Sequence, residues 1–321
     1  MNRRAWLRMA WWPVLALALL ALPAFGANER VLHFTTYILI WAIFAIAFDM
    51  AFGMAGLLSV GHALFLGFGG YCTGWLTVHA GLPFLLSLLI ACAGAGVLAI
   101  LFGFVALRLS GIFFALTTLA LGQLAMIASD TVLAPITGGQ DGFPGIPRPE
   151  LFGIDFLNAG NFLVFVIVAF IITLACAALI RASPFGQVLI AVRTNELRAS
   201  QLGFNVKYFK IGILVVSGFF AALAGGLMSS LLFFLSSNIL HWSVSGDVVI
   251  MALLGGSGTL IGPVLGATVF ESLKEILGDL TGRWHGILGV IFIVFVILIP
   301  DGLAGLARRT WLRLARRKNA P

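Results

Sequence analysis

A chain of 321 residues that is 61% hydrophobic and 10% charged, with a mean hydropathy of +1.09, cannot clothe itself in a water-facing surface, which excludes an ordinary soluble domain. The formal charge of +7 is explained by where the basic residues fall relative to a membrane, not by a nucleic-acid surface. Cys72, Cys92 and Cys176 each sit inside an apolar run at spacings that suit neither a disulfide framework nor a metal site, and they read as packing residues.

Apolar runs of about 20 residues, long enough to cross roughly 30 Å of hydrocarbon, recur along the chain with short polar breaks. In chain order the predicted spans are 9–25, 31–52, 61–79, 83–107, 111–129, 161–180, 211–235 and 287–299. The first follows a basic opening, 1–8, and is succeeded by small residues like a secretory signal; it is read as a retained span. The stretch 247–278 is apolar too, but "GGSGTLIGP" (255–263) places four glycines and a proline in it, so it is predicted as a broken pair of half-helices. Nothing alternates as a membrane barrel would. The fold class is an all-α polytopic membrane protein with eight full spans plus a broken or re-entrant helix pair, eight to ten transmembrane segments in all. A single transmembrane domain, 9–306, lies between the basic N-terminus 1–8 and the basic tail 307–321.

Charge gives the orientation. Arg3, Arg4 and Arg8 precede the first span, and Arg308, Arg309, Arg313, Arg316, Arg317 and Lys318 follow the last, which places both ends in the cytoplasm. The segment 181–210 holds Arg181, Arg193, Arg198, Lys207 and Lys210 against Glu196, and falls inside. The loop 130–160 carries Asp130, Asp141, Glu150 and Asp155 against Arg148, and falls outside. With the C-terminus inside, 236–245 and 279–286 both fall outside. Residues 247–278 then enter and leave on one side, and irregular backbone at that depth is tolerated only where protein buries it or it lines a wet cavity.

The polar segment "SPFGQVLIAVRTNELRASQLGFNVKYFK" (183–210) opens with Ser183 as cap and Pro184 at the first helical position. Val188, Leu189, Val192, Ala199 and Leu202 share one face of a predicted short amphipathic helix that ends at Gly203. By itself this is a helix on the membrane surface. Polar groups inside apolar segments are the other candidates. Asp49 and Asp247 are the acids nearest the membrane interior, where such groups turn toward the bundle or a cavity. Ser59 and His62 lie at a helix start, His62 either as a structural hydrogen-bonded histidine or as part of a pathway. Thr117, Thr118 and Gln123 are either helix–helix glue or ligands. The glycines around "GLLSVGHALFLGFGG" and "GGSGTLIGPVLGA" permit close helix approach, and their weak mutual likeness points to a duplicated architecture.

Six blocks carry a resemblance: the polar segment itself, "GMAGLLSVGHALFLGFGGY" (53–71), "LSGIFFALTTLALGQ" (109–123), "TGGQDGFPGIP" (137–147), "MALLGGSGTLIGPVLGA" (251–267) and "PDGLAGL" (300–306). In this order they resemble the permease subunits of branched-chain amino acid ABC importers, of the LivM type, over about 39–306. Thr194 stands where that family more often has an acidic residue. The resemblance implies a multi-pass subunit of the bacterial inner membrane, in contact with lipid. Its implied partners are a second homologous permease, two ABC ATPase subunits and a periplasmic substrate-binding protein, with no nucleic acid. It implies no catalytic residue, metal or cofactor on this chain, ATP and Mg being held by the partner ATPases. The absence of GxxxxGK[ST] agrees. Gly186, Arg193, Asn195, Glu196 and Gly203 then belong to a cytoplasmic coupling loop that the ATPases move. Asp49, Ser59, His62, Thr117, Thr118, Asp247, Gly255, Gly256, Gly258 and Thr259 are candidates for the translocation path, and Asp141 and Glu150 for docking the binding protein. Rival expectations are an ion-coupled secondary transporter with Asp49, His62 and Asp247 as its relay, a permease for urea, amides or aromatic acids, and a membrane scaffold without transport.

Overall fold

A computed structural model describes residues 28–148, 150–151, 154–280, 284–299 and 302–306. The predicted first span 9–25, the basic opening 1–8 and the basic tail 307–321 lie outside the described residues. What is described is a helical, polytopic membrane protein in which five helices are long and apolar enough to cross a bilayer.

The bundle is organised around α1 (Glu29–Ala55), which is apolar on every side and buried along most of its length. A helix of this kind is surrounded by others, whereas an amphipathic one sits at a surface. Gly56 ends α1 in the left-handed conformation, at φ 72, with its N–H returned to the last turn. Non-helical backbone then runs to α2 (Ala63–Val78), followed by α3 (Phe84–Ala106) and α4 (Ile112–Asp130). The one-turn α5 (Ala134–Thr137) opens the long loop, which contains β1 (Phe143–Pro144), β2 (Glu150–Leu151) and β3 (Ile154–Asp155). Then come α6 (Ala159–Ala182), α7 (Pro184–Thr194), α8 (Glu196–Gln201) and α9 (Val206–Leu232). After β4 (Phe234–Leu235) the chain continues through α10 (Trp242–Gly255), α11 (Gly262–Leu280) and α12 (Trp284–Leu298).

Helix α9 packs along α1, α2 and α3, while α6 and α11 cover the rest of α1. Glycine lets α2 and α9 touch through their backbones: a Cβ at Gly225 would run into the Leu66 carbonyl, and one at Gly69 into Ala222. The bundle has two polar ends. At one, Arg148 from the long loop meets His33 at the start of α1 and Phe233 at the end of α9, and β1 pairs antiparallel with β4, Phe143 opposite Leu235. At the other, the segment 181–210 meets the end of α1 and the break between α10 and α11. Helices α1, α3 and α6 run from the loop end to the end that holds 181–210; α9 returns.

Two sequence expectations change here. The expected span 61–79 is a 16-residue helix whose start is level with the middle of α1, because Ser217 bridges His62 and the Ala47 carbonyl. The segment 236–245, expected wholly outside, descends from the loop end to the same level, since Ser245 Oγ accepts from Ala63 N at 2.9 Å. The chain therefore has a second interrupted pair besides "GGSGT". Antiparallel α1 and α9 are each followed by a short helix that starts at mid depth and doubles back. This inverted arrangement replaces the expected kinship between "GLLSVGH" and "GGSGT", and apolar letters in "GLLSV" concealed it.

Candidate functional site

The segment 181–210 starts as read from sequence. Ser183 Oγ accepts from Gly186 N at 3.2 Å, and Pro184 occupies the first helical position. Gly186 is required for the fold-back, because a Cβ there would strike the Ile180 carbonyl. The single predicted helix is instead two. Asn195 leaves helical geometry at φ −157 and ψ 99, and its Oδ1 accepts from Arg198 N at 2.9 Å, capping α8. An asparagine side chain that offers the backbone an alternative partner breaks a helix this weakly held. Gly203 follows α8 at φ +90 with open space around it.

Arg193, at the end of α7, sends Nη1 to the carbonyl of Gly53 in the last turn of α1. Arg181, at the end of α6, sends Nη1 to the carbonyl of Gly258 in the break. The N–H of the same Gly258 donates to Asp49 Oδ1 at 2.8 Å. Gly53 and Gly258 touch: a Cβ on Gly53 would meet Gly258 N at 2.6 Å, and Gly258 holds a left-handed φ of +75. Two arginines, one aspartate and two glycines thus join the polar segment, the inner end of the central helix and the broken helix in one knot. The cavity beside it, of about 190 Å³, is lined by Gly56, Leu109, Gly111, Arg193, Glu196 and Lys210 among others.

The break is otherwise satisfied internally. Thr259 Oγ1 donates to the Gly256 carbonyl at 2.8 Å and accepts from Gly262 N at 2.9 Å, which caps α11. A Cβ at Gly255 would strike the Gly262 carbonyl, and one at Gly266 the Met251 carbonyl, so α10 and α11 meet backbone to backbone. Gly256, at φ 105 and ψ 95, packs against Gly302.

The remaining candidates separate. His62 is fully buried among Phe44, Phe48 and Phe65, with Nε2 3.0 Å from Ser217 Oγ. Ser59 is fully buried beside it in sequence, and its hydroxyl makes no hydrogen bond. Thr118 accepts from Val60 N at 3.1 Å and so belongs to the start of α2, whereas Thr117 only returns its hydroxyl to Phe113 in its own helix. Asp247 lies apart from both groups, 3.7 Å from Lys274, which lies 3.7 Å from the buried Glu271. Glu196 is half exposed and pairs with Lys210 at 2.7 Å. Asp141 is exposed in a 3-10 turn, and Glu150 is in β2, both at the loop end.

Arg148 was noted in the sequence only as the loop's single basic residue, yet it is 7% exposed. It donates to the Leu157 carbonyl at 3.0 Å and lies 4.6 Å from the Phe233 ring and 5.2 Å from that of Phe162. Burial lowers its pKa. It pins the acidic loop to three helices. Glu271 and Lys274 were missed as well, because within the sequence they look like the polar face of an ordinary amphipathic helix.

Residues 30–299 match the family described as branched-chain amino acid transport system / permease component. The chain is 26% identical, over 88% of its length and 72% of the relative's, to the high-affinity branched-chain amino acid transport system permease protein LivM of Escherichia coli (strain K12). The figures for LivM of Salmonella typhimurium are the same. Over 41% of this chain and 41% of the relative it is 32% identical to the autoinducer 2 import system permease protein LsrC of Photorhabdus laumondii. No solved structure matches. With the matched region covering the central helix, the polar segment and both breaks, the chain belongs to the branched-chain amino acid transport system permease component family.

Proposed function

We propose that this chain is the transmembrane subunit of an ATP-binding cassette importer. It carries branched-chain amino acids or a closely related small solute across the bacterial inner membrane by alternating access. The observation that carries this reading is the knot of Arg181, Arg193, Asp49, Gly53 and Gly258. It connects the polar segment to the last turn of the central helix and to the irregular backbone of "GGSGT". When partner ATPases close on nucleotide, α7 and α8 move, and the arginines transmit the displacement to the end of α1 and to "GGSGT". ATP and Mg belong to those partners. A second, homologous permease covers the exposed apolar helix faces, and the periplasmic binding protein docks on the acidic loop around Asp141 and Glu150.

The same reading places the end that holds 181–210 in the cytoplasm. Arg108, Arg181, Arg193, Arg198, Lys207 and Lys210 are concentrated there, and the acids of 130–160 are at the other end. Reporters fused after Arg198 and Arg316 are expected inside the cell, and one inserted near Gly145 outside; a cytoplasmic Gly145 overturns the orientation. The similarity to LsrC supports a second substrate reading, a small polar solute other than an amino acid. A proton relay through Asp49, His62 and Asp247 finds less support, because the three make separate contacts.

Reconstituting the chain with its ATPases and binding protein tests the proposal. Uptake of leucine into proteoliposomes is expected to require both ATP and loaded binding protein. Uptake driven by an ion gradient without ATP would assign the chain to secondary transport.

A further inference from the structure

One exposed apolar face differs from those left to a second permease. On α4, Thr117, Ala120 and Gln123 interrupt the outward side with polar or small groups, the residues by which membrane helices meet one another. On the last half of α3, Val97, Ile100, Leu101, Phe104 and Val105 are all exposed and all bulky. The small residues of the same stretch turn inward: a Cβ at Gly103 would meet Ile211 and Leu214, and one at Gly218 of α9 would meet Ala99. A face of bulky aliphatic and aromatic groups, with no small or polar member, suits lipid rather than another helix.

Val97, Leu101, Phe104 and Arg108 follow one another at intervals of four, three and four residues and so form one stripe along the helix. Helix α3 itself ends at Ala106, and Arg108 continues its last turn, its N–H donating to the Val105 carbonyl at 3.4 Å. From Val97 to Arg108 the stripe is about 16 Å long at 1.5 Å per residue, half of the roughly 30 Å hydrocarbon thickness. It therefore has the length of one leaflet, and its end is positive. Lys207, in the first turn of α9, holds its ammonium over the Phe104 ring, 5.0 Å from the centroid, one helical turn before Arg108. Both cations are exposed, and among the described residues neither is in an ion pair; Glu196, the acid of the neighbouring segment, is held by Lys210 at 2.7 Å. Phe204 and Tyr208, close to Lys207 in sequence, are exposed too, as aromatic residues are at the level of headgroups.

We propose that Arg108 and Lys207 form a site for the phosphate of an anionic phospholipid, one of whose acyl chains lies along Phe104, Leu101 and Val97. The guanidinium of Arg108 matches two phosphate oxygens at once, and the Lys207 ammonium adds a point charge whose place is set by the Phe104 ring. Basic residues where helices end at the headgroup level attract a headgroup of net negative charge, whereas a zwitterionic headgroup brings its own cation and gains little. Bound there, the lipid bridges the end of α3 and the start of α9, the helix into which the polar segment 181–210 runs. Neither the substrate nor the direction of transport enters.

The test titrates the full chain in detergent, alone and in the assembled transporter, with phosphatidylglycerol or with phosphatidylcholine of the same acyl chains, and counts bound lipid by native mass spectrometry. The first phosphatidylglycerol is expected to bind the wild type at least tenfold more tightly than phosphatidylcholine. The double variant Arg108→Gln, Lys207→Gln, both at exposed positions, is expected to lose that preference, whereas Arg198→Gln, which removes an exposed charge of α8, is expected to keep it. Glycerol phosphate, which carries the charge without acyl chains, is expected not to displace the lipid. Equal binding of the two lipids by the wild type overturns the site. So does an unchanged preference in the double variant, and so does an equal loss in Arg198→Gln, which would make the attraction one of general charge. Displacement by glycerol phosphate would assign the cations to a soluble phosphate compound, and binding to the chain alone but not to the assembled transporter would give the face to the second permease; either result overturns the lipid site.

Discussion

The interruption between α1 and α2 reaches into the apolar bundle, whereas the interruption between α10 and α11 lies at its polar end beside the last turn of α1, and different groups satisfy the non-helical backbone of each. At the first, short neutral hydroxyls from neighbouring helices take the exposed N–H groups: Thr118 holds Val60 and Ser245 holds Ala63. Its inner part is enclosed, with Ser59, Gly61, His62 and Ala63 all buried, while Gly56 at its start is exposed. At the second, Thr259 supplies a local cap, but Gly258 is held by Arg181 through its carbonyl and by Asp49 through its N–H. Short side chains of packed helices hold a fixed geometry. Long arginines rooted at the end of α6 and in α7 follow whatever moves those helices. The comparison teaches that the first break is held by its neighbouring helices and the second by arginines of the polar segment, which on the proposed coupling role makes the second the joint that moves.

The largest expected effect tests the first break. A Cβ at Gly61 would run into the Thr118 carbonyl, backbone against backbone. Gly61→Val is expected to cost more than about 3 kcal/mol, seen as loss of monodisperse protein on detergent extraction. Wild-type thermal stability of that variant would show that the first break gives way too.

Next comes the movable joint. Gly258→Leu places a branched side chain at φ +75, against Arg193 Nη1 at 2.8 Å and the Gly53 carbonyl at 3.1 Å. Arg193→Met removes the tie to Gly53. Both are expected to lower ATP-driven uptake more than about tenfold, a transition cost of about 1.4 kcal/mol, while assembled complex and ATP hydrolysis persist. Arg193→Lys is expected to restore little, because a point charge on a flexible stem does not reproduce the guanidinium fork. Retained coupling in Arg193→Met would reduce the knot to packing.

A smaller change separates the two breaks. Ser245→Ala removes the hydroxyl that serves Ala63 N, and a lost cap of this kind costs about 1 kcal/mol. Stability is expected to fall by that much with the ratio of uptake to ATP hydrolysis unchanged. A shift in that ratio would tie the first break to transport.

The smallest effect is expected at Glu196. Its pairing with Lys210 is half exposed, and exposed pairs contribute about 0.2–1 kcal/mol. Glu196→Lys is therefore expected to leave the permease stable and to weaken ATPase copurification only slightly. Loss of the ATPases on purification would instead place Glu196 in a desolvated contact, where breaking a charge pair costs about 2–5 kcal/mol.

Much of the helix pattern was legible in the sequence. The expected 31–52, 83–107 and 161–180 correspond to α1, α3 and α6 within a few residues, because length and apolarity are properties of a single segment. Ser183 and Pro184 announced the start of α7 for the same local reason. The "GGSGT" break was visible because glycine and proline disrupt a helix wherever they stand. The mid-depth start of α2 was not visible: "GLLSV" is as apolar as a helix interior, and only Thr118 and Ser245, 58 and 182 residues away in sequence, satisfy its backbone there. The sequence pattern puts Asn195 inside one short helix that ends at Gly203, whereas its own side chain divides that helix in two.

By itself, then, the sequence determined that this protein lives in a membrane, which segments are helical, where the basic and acidic loops fall, and which family it resembles, since these follow from composition, local propensity and ordered motifs. Tertiary structure alone decided that Arg181 and Arg193 reach Gly258 and Gly53, that Arg148 is a buried clamp, and that Asp247, Glu271 and Lys274 gather beside Trp41. Each of these joins separate segments of the chain. The physical reason is that the depth at which a side chain sits, and what it meets there, is set by how helices cross, and a one-dimensional pattern of polarity carries no record of that crossing.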